Sequence, residues 1–436
     1  MRSFFSIGKN SFWLTLEKVT PGFSILVVSI VVARLFPTGV FGAFSYALGV
    51  VSFFFPIILF GLEPVLVRFI ASKKYSDDDI LRAGLAIGFV ASLVATFSSF
   101  VFVSFFVSDA LTKKIFESLL PIFLFYPATI LSCWYQANMK SIRMAAIRIF
   151  AVCFVLLFSA FGFFIKAPVH YFSLALVLES ALVGGAVFIG LSRQLKGFAV
   201  FQMSGYIARD IVRACWPIAI SWICVALYQR SDMILLGLLS TPEQVAMYSA
   251  SSRVFNLSLI LPSAIAASAY PLIVKGSRAA EGVGDIDRLI PYSGLIILSG
   301  VFISAFILLF GDKIIHLFFG GAFREASKLL CYQIIGSVFV ALGLVKNRWM
   351  YALNKSQYVM WSTVIGAVIN ILLNVALIPR FGALGAVVSS VSAQAVANYF
   401  SCALFSQFRP MLAALLWASP KSIKVVVSML CGARRV

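Results

Sequence analysis

Apolar runs of about twenty residues follow one another along almost the whole chain, and short polar connections between them hold most of the Lys, Arg, Asp and Glu. A helix that crosses the hydrocarbon core of a bilayer needs roughly twenty such residues. Each run therefore predicts a membrane-spanning helix. Twelve are expected, near 12–33, 41–67, 83–107, 115–136, 144–165, 170–192, 214–239, 244–274, 289–311, 326–350, 357–379 and 383–408. The runs are unbroken rather than alternating with period two, which excludes a transmembrane β-barrel. The longest polar piece is 193–213, so no extramembrane domain is expected to house soluble chemistry. The pattern predicts an all-α polytopic membrane protein.

Composition sharpens this. Hydrophobic residues make up 61% of the 436 positions and charged ones 12%, against about 45–50% and about 25% in soluble domains. A water-soluble chain of this kind could not cover its own surface. The formal charge of +19 would suggest nucleic acid in a soluble protein, but here the basic residues alternate from side to side. Counting connections and helix ends, 25 Lys and Arg fall on the side that carries both termini and 8 on the other. Basic residues favour the cytoplasmic face, so both termini are expected there. The first apolar run is too long for a cleavable signal peptide. No CxxC pair occurs among the 7 cysteines, and 2 histidines do not build a metal site, so no metal or other cofactor is expected.

Divided at the longest polar piece, the spans fall into two sets of six. The expected organisation is a lobe over 1–192, a cytoplasmic linker over 193–213, a second lobe over 214–408 and an interfacial tail over 409–436. Both halves begin on the same side, which predicts a parallel duplication. Two pairs of segments support it. Phe41–Ser45 (FGAFS) is similar to Val245–Ser249 (VAMYS), and Ala137–Ser141 (ANMKS) to Ala352–Ser356 (ALNKS), at matching hairpins. The expected architecture is two six-helix lobes around a central cleft that opens alternately to either side.

Several motifs carry a family resemblance. Tyr228–Gly237 (YQRSDMILLG) followed by Gln244–Arg253 (QVAMYSASSR) resembles the seventh and eighth spans of the polysaccharide transporter family. There a "D…LLG" run, a short turn and "GxYxAAxR" follow in order. Ala33–Pro37 (ARLFP) with Phe41 and Gly42 is similar to the first hairpin of that family, "ARLLGPxxFG". Asn374–Ala386 (NVALIPRFGALGA) is similar to its "NxxLIPxxGxxGAA" turn. The resemblance runs in order over nearly the whole chain, and Ala246 departs from it where the family has Gly. It implies membership of the multidrug/oligosaccharidyl-lipid/polysaccharide exporter superfamily. It further implies a flippase, not an enzyme, that moves undecaprenyl-pyrophosphate-linked oligosaccharide, such as an O-antigen repeat unit, to the periplasmic leaflet. The partners implied are that glycan lipid, membrane lipids and proteins of a polysaccharide assembly pathway, without nucleic acid. A cation-coupled multidrug exporter of the same superfamily and a membrane glycan polymerase or ligase are the alternatives.

Ionisable groups inside spans are costly and mark cavities or partners. Arg230 and Arg253 flank the turn between the seventh and eighth spans at similar distances, which puts both roughly 17 Å from it at about 1.5 Å per residue. Two guanidiniums at one depth could grip a diphosphate with forked bonds; structural pairing or snorkelling is the alternative. Asp232 is expected to pair with an arginine of another span or to carry coupling protons. Glu179, within the sixth span, is a candidate for ion or proton coupling, and Glu63 for a gate or a salt bridge, with a plain interfacial charge as the alternative. Lys18 could meet the incoming pyrophosphate and Arg34 could aid its release, with interfacial anchoring as the alternative for both. The amides Gln136, Gln229, Gln333, Asn370, Asn374, Gln394 and Asn398 could bond sugars or bridge helices. Pro56 and Pro64 in span two, and Pro262 and Pro271 in span eight, are expected to kink corresponding helices.

Overall fold

A computed structural model describes residues 2–192, 205–267, 286–353 and 355–404. The first part of the expected linker, Pro271 and the tail over 409–436 lie outside the described residues. Among the described residues there is no strand, and eleven helices are long and apolar enough to cross a membrane. These are spans 1 to 11: Leu16–Leu35, Thr38–Ser72, Asp77–Phe106, Ala110–Ala137, Ser141–Phe164, Val169–Ser192, Gly205–Leu239, Pro242–Ala267, Gly294–Phe319, Gly321–Tyr351 and Gln357–Phe381. The twelfth expected span is a helical run with a register fault. Ala383–Ala395 is α-helical, Val396–Phe400 takes one π turn, and Ser401–Leu404 resumes the α form.

Local chemistry sets the breaks. Ser76 Oγ accepts the Asp79 N–H at 3.2 Å and Asp109 Oδ2 accepts the Thr112 N–H at 2.8 Å, so spans 3 and 4 begin at side-chain caps. Span 2 contains Pro56 and then breaks at Phe60 and Gly61, both left-handed, with φ of 44° and 66°. Gly61 is required there for space as well as angle. A Cβ at this position would lie 2.8 Å from Ile218 Cβ and 3.0 Å from the Cys215 carbonyl oxygen of span 7. Span 8 is interrupted by a turn at Leu259, three residues before Pro262, where the missing proline N–H ends the hydrogen-bond ladder. Span 4 passes through a 3₁₀ segment, Tyr126–Ser132, that follows Pro121 and carries Pro127.

The chain forms two compact units, Met1–Arg230 and Ser231–Val436. Span 7 is one unbroken helix from Gly205 to Leu239, so the division falls inside it. In the first unit Leu62, Leu66, Ile80, Leu81, Trp134 and Met144 pack with Ile211 and Cys215 of span 7. In the second, Ala341, Leu342, Val345, Trp349 and Met350 pack with Ile296 and Cys402. Large apolar side chains such as Phe105 and Phe164, each 81% exposed, face outward from the bundles, as helices bathed in lipid require.

The two turns matched in sequence share bond geometry. The Lys140 N–H donates to the Tyr135 carbonyl at 2.8 Å, and the Lys355 N–H donates to the Met350 carbonyl at 2.8 Å. In both turns the carbonyl of a tryptophan accepts from the residue four positions on, Asn138 on Trp134 and Leu353 on Trp349, at 3.1 Å each. Lys140 and Lys355 also share their backbone angles, φ −107° with ψ 30° and φ −106° with ψ 39°. The other matched hairpin agrees too. Phe41–Val50 and Val245–Ser251 are both buried on every face of their helices.

The π turn has an identifiable partner. Its register gives the Ser401 N–H to the Val396 carbonyl, five residues back, and so frees the Ala397 carbonyl from the α ladder. Lys346, 1% exposed, donates its ammonium to that oxygen at 2.5 Å and to Ser362 Oγ at 2.9 Å. Lys346→Ala should therefore lower stability by roughly 2–4 kcal/mol, through a cavity and stranded oxygens, read as a fall in the unfolding temperature of the purified protein in detergent. In the same assay Gly385→Ala should be damaging, because its Cβ would meet the Leu377 carbonyl oxygen at 2.6 Å. Gly185→Ala, with nothing within 4 Å, should leave the temperature unchanged or raise it slightly.

Candidate functional site

Within each unit the spans bring polar side chains together, and the two sets differ in kind. In the second unit the centre is Asp232, 6% exposed, on the last turns of span 7. Its Oδ1 accepts Asn370 Nδ2 at 2.8 Å and Asn374 Nδ2 at 2.6 Å. Its Oδ2 accepts the Tyr248 hydroxyl at 2.9 Å and the Ser390 hydroxyl. Asn370 Oδ1 in turn accepts from Ser231 Oγ at 2.6 Å and from Asn374 Nδ2 at 3.0 Å. The donors come from spans 8, 11 and 12. Asn370 and Asn374 share one face because they stand four apart on a helix.

This arrangement corrects the expected arginine pairing of Asp232. All four of its bonds come from neutral groups. Buried carboxylates need compensation, and charge is one source of it; several oriented hydroxyl and amide dipoles are another. Four neutral donors converge on one carboxyl group, and no basic side chain is among them.

The first unit is arranged differently. Lys18 Nζ lies 2.6 Å from Glu63 Oε1, joining spans 1 and 2 in an ion pair whose side chains are 54% and 30% exposed. For Glu63 this geometry includes a salt bridge. Glu179, buried on span 6, accepts Ser24 Oγ of span 1 at 3.1 Å. Glu17 is half-buried beside Lys18. Arg148 of span 5 lies within electrostatic reach of both Glu17 and Glu179.

The expected arginines occupy separate settings. Arg253 is half-buried on span 8, one residue after Ser252, whose hydroxyl accepts Gln333 Nε2 at 2.8 Å. Arg230 is exposed and is the last residue of the first unit. Arg34 is exposed in the last turn of its helix. Of the amides, Asn370, Asn374 and Gln333 bridge helices as described. Gln394 and Asn398 of span 12 lie against Gly336 and Gly343 of span 10, where a Cβ would collide with them.

Sequence reading missed Ser390, Ser24, Arg148 and Lys346 as members of these sites. Serines are too common in membrane helices to stand out. Arg148 and Lys346 entered the tally of basic residues near helix ends. Lys346 carried a usable signal, since it lies five residues inside the apolar run that ends at Tyr351. Among the described residues no group of three His, Cys, Asp or Glu side chains could hold a metal ion.

Comparison with known proteins gives this geometry a family. The model of the family described as "Polysaccharide biosynthesis protein" matches residues 7–277, and the MatE family model matches 217–376. The chain is 30% identical over 184 residues to the probable low-salt glycan biosynthesis flippase Agl15 of Haloferax volcanii, covering 42% of this chain and 38% of that one. It thus spans well under half the length of that relative. Among solved structures it is similar to the lipid II flippase MurJ in an inward closed conformation, with a TM-score of 0.74 at 14% identity, covering 98% of this chain and 93% of that one. It is also similar to an inward-facing MATE-family multidrug resistance transporter of the MOP superfamily, with a TM-score of 0.67 at 13% identity, covering 92% and 98%. These likenesses give the fold, a two-lobed helical membrane bundle. The family model covers more than half of the chain, and on that ground the chain belongs to the polysaccharide biosynthesis protein family.

Proposed function

We propose that this protein is a flippase for undecaprenyl-pyrophosphate-linked oligosaccharide, an O-antigen or similar surface polysaccharide unit. It carries the glycan from the cytoplasmic to the periplasmic leaflet of the inner membrane by alternating access. The observation that carries the reading is the family match over 7–277, on a chain whose membrane spans hold ionisable side chains in both units. The isoprenoid tail stays in lipid while the pyrophosphate and sugars cross, so the route must offer cations to an anion. In this proposal Arg230, Arg253, Lys18 and Arg34 meet the pyrophosphate and glycan, and Asp232, Glu179 and Glu63 serve coupling or gating. An inside-negative potential favours outward movement of a diphosphate by roughly 2.3 kcal/mol per charge at 100 mV.

A second reading, a cation-coupled multidrug exporter, is favoured by the MatE match over 217–376 and by the buried carboxylates Asp232 and Glu179. Cationic substrates would prefer carboxylates and aromatics to arginines. The arginines are the distinguishing feature.

Cells lacking the protein should accumulate lipid-linked glycan on the cytoplasmic membrane face. Wild type should restore its translocation, and the double variant Arg230→Ala, Arg253→Ala should not. Normal glycan orientation in the deletion strain, together with new sensitivity to cationic dyes, would instead select the exporter. For Asp232→Asn, an amide replaces one acceptor oxygen opposite donors, and a stability loss of about 1–3 kcal/mol is expected. Transport by that variant in proteoliposomes should no longer respond to an imposed proton or sodium gradient; an unchanged response would remove Asp232 from coupling.

A further inference from the structure

Five of the first six spans carry ionisable side chains within electrostatic reach of one another. Span 1 contributes Glu17 and Lys18, span 2 Glu63, span 4 Tyr126 and Cys133, span 5 Arg148 and span 6 Glu179. They interact electrostatically as a group: Glu17 with Lys18, Glu63 and Arg148, Glu179 with Arg148, and Tyr126 with Glu63 and Arg148. Cys133 joins them through its thiol, 3.7 Å from the Glu63 carbonyl.

Within the group the cations are treated unequally. Lys18 is taken by Glu63 at 2.6 Å. Arg148 is not taken by any carboxylate: among the described residues the ion pairs within 4.0 Å are Lys18–Glu63 and Lys74–Asp210. The Arg148 Nε is buried and has no hydrogen-bond partner. A half-buried guanidinium on a membrane helix is costly, and it presents five N–H donors in a rigid fork. Leaving a buried donor unmade adds to that cost. Glu17 and Glu179 attract Arg148 electrostatically without forming an ion pair with it.

We propose that Arg148 is the anion-gripping residue of the first unit, and that its open fork receives phosphoryl oxygens of an isoprenyl diphosphate with Lys18 as the second cation. This rests on the flippase reading above and adds to it a residue and a way of releasing the cargo. Planar guanidinium matches phosphoryl oxygens with two parallel charge-assisted bonds, which an ammonium cannot do. The flanking carboxylates act as competing counter-anions. Glu63 must yield Lys18 to the diphosphate, and Glu17 and Glu179 weaken its hold on Arg148. A transport site must bind well enough to load and weakly enough to empty, and resident carboxylates beside a cation meet both demands.

The test uses the full chain in phosphatidylcholine nanodiscs, with farnesyl diphosphate as the probe and inorganic pyrophosphate as competitor. Wild type should bind the probe. Arg148→Gln should weaken binding by about tenfold or more, as expected for loss of charge-assisted bonds. Arg148→Lys should fall between the two, and Glu17→Gln should bind more tightly than wild type. Wild-type affinity in Arg148→Gln would overturn the assignment and leave the flippase reading standing. If Arg148→Gln does not fold, Glu17→Gln decides: tighter binding supports the proposal, and unchanged or weaker binding overturns it. Should phosphatidylglycerol nanodiscs abolish the Arg148-dependent binding, the fork holds a lipid headgroup and the proposal falls. A wild type that ignores both diphosphates but binds a cationic dye would take the flippase reading down with it.

Discussion

The second unit is organised around one carboxylate. Asp232 takes hydrogen bonds from Tyr248, Asn370, Asn374 and Ser390, so spans 7, 8, 11 and 12 meet at two oxygen atoms. In an apolar surrounding each of those bonds answers a desolvation cost that water would otherwise meet. Moving any of the four helices strands a donor or an acceptor. Packing of apolar side chains between helices in lipid is weakly directional by comparison. The carboxylate therefore fixes which helices are neighbours and in what rotation, and the spacing of Asn370 and Asn374 fixes the face of span 11 that turns toward it.

Lys346 does the complementary work with the opposite charge. It joins spans 10, 11 and 12 through Ser362, the Ala397 carbonyl and Ser401, and it supports the one π turn among the described residues. The second unit thus holds a buried carboxyl and a buried amine, each hydrogen-bonded to neutral groups rather than to the other. The first unit leaves its charges more open. Lys18 and Glu63 keep considerable exposure, and Arg148 forms no ion pair with a described carboxylate.

A shared frame underlies these different chemistries. The turns at Trp134–Lys140 and Trp349–Lys355 repeat the same backbone bonds, while the side chains around them have diverged. Near the first lie Asp77, which accepts Trp134 Nε1 at 2.9 Å, and the exposed Arg143. The second lies beside the buried Lys346 and the apolar cluster of Leu342, Val345 and Met350. Backbone geometry in membrane helices is held by local hydrogen bonds that any sequence can make. The side chains remained free to specialise.

The spans, their order and the matched hairpins were legible in the residues, because the apolar content of twenty consecutive positions is a local quantity. Prolines 56 and 262 likewise announced interrupted helices. The sites were legible only in part. Asp232, Glu179 and Glu63 stood out as charges in apolar runs, yet the expected arginine partner of Asp232 proved to be four neutral donors, and Arg148 and Lys346 passed as ordinary basic residues near helix ends. Partners 138 to 158 residues away, such as Asn370 and Ser390 for Asp232, depend on which helices pack and how each is rotated about its axis. Hydropathy carries no record of that rotation. The sequence by itself decided that the chain crosses the membrane repeatedly and where; only tertiary packing decided which charges are enclosed, which are paired and which stay open.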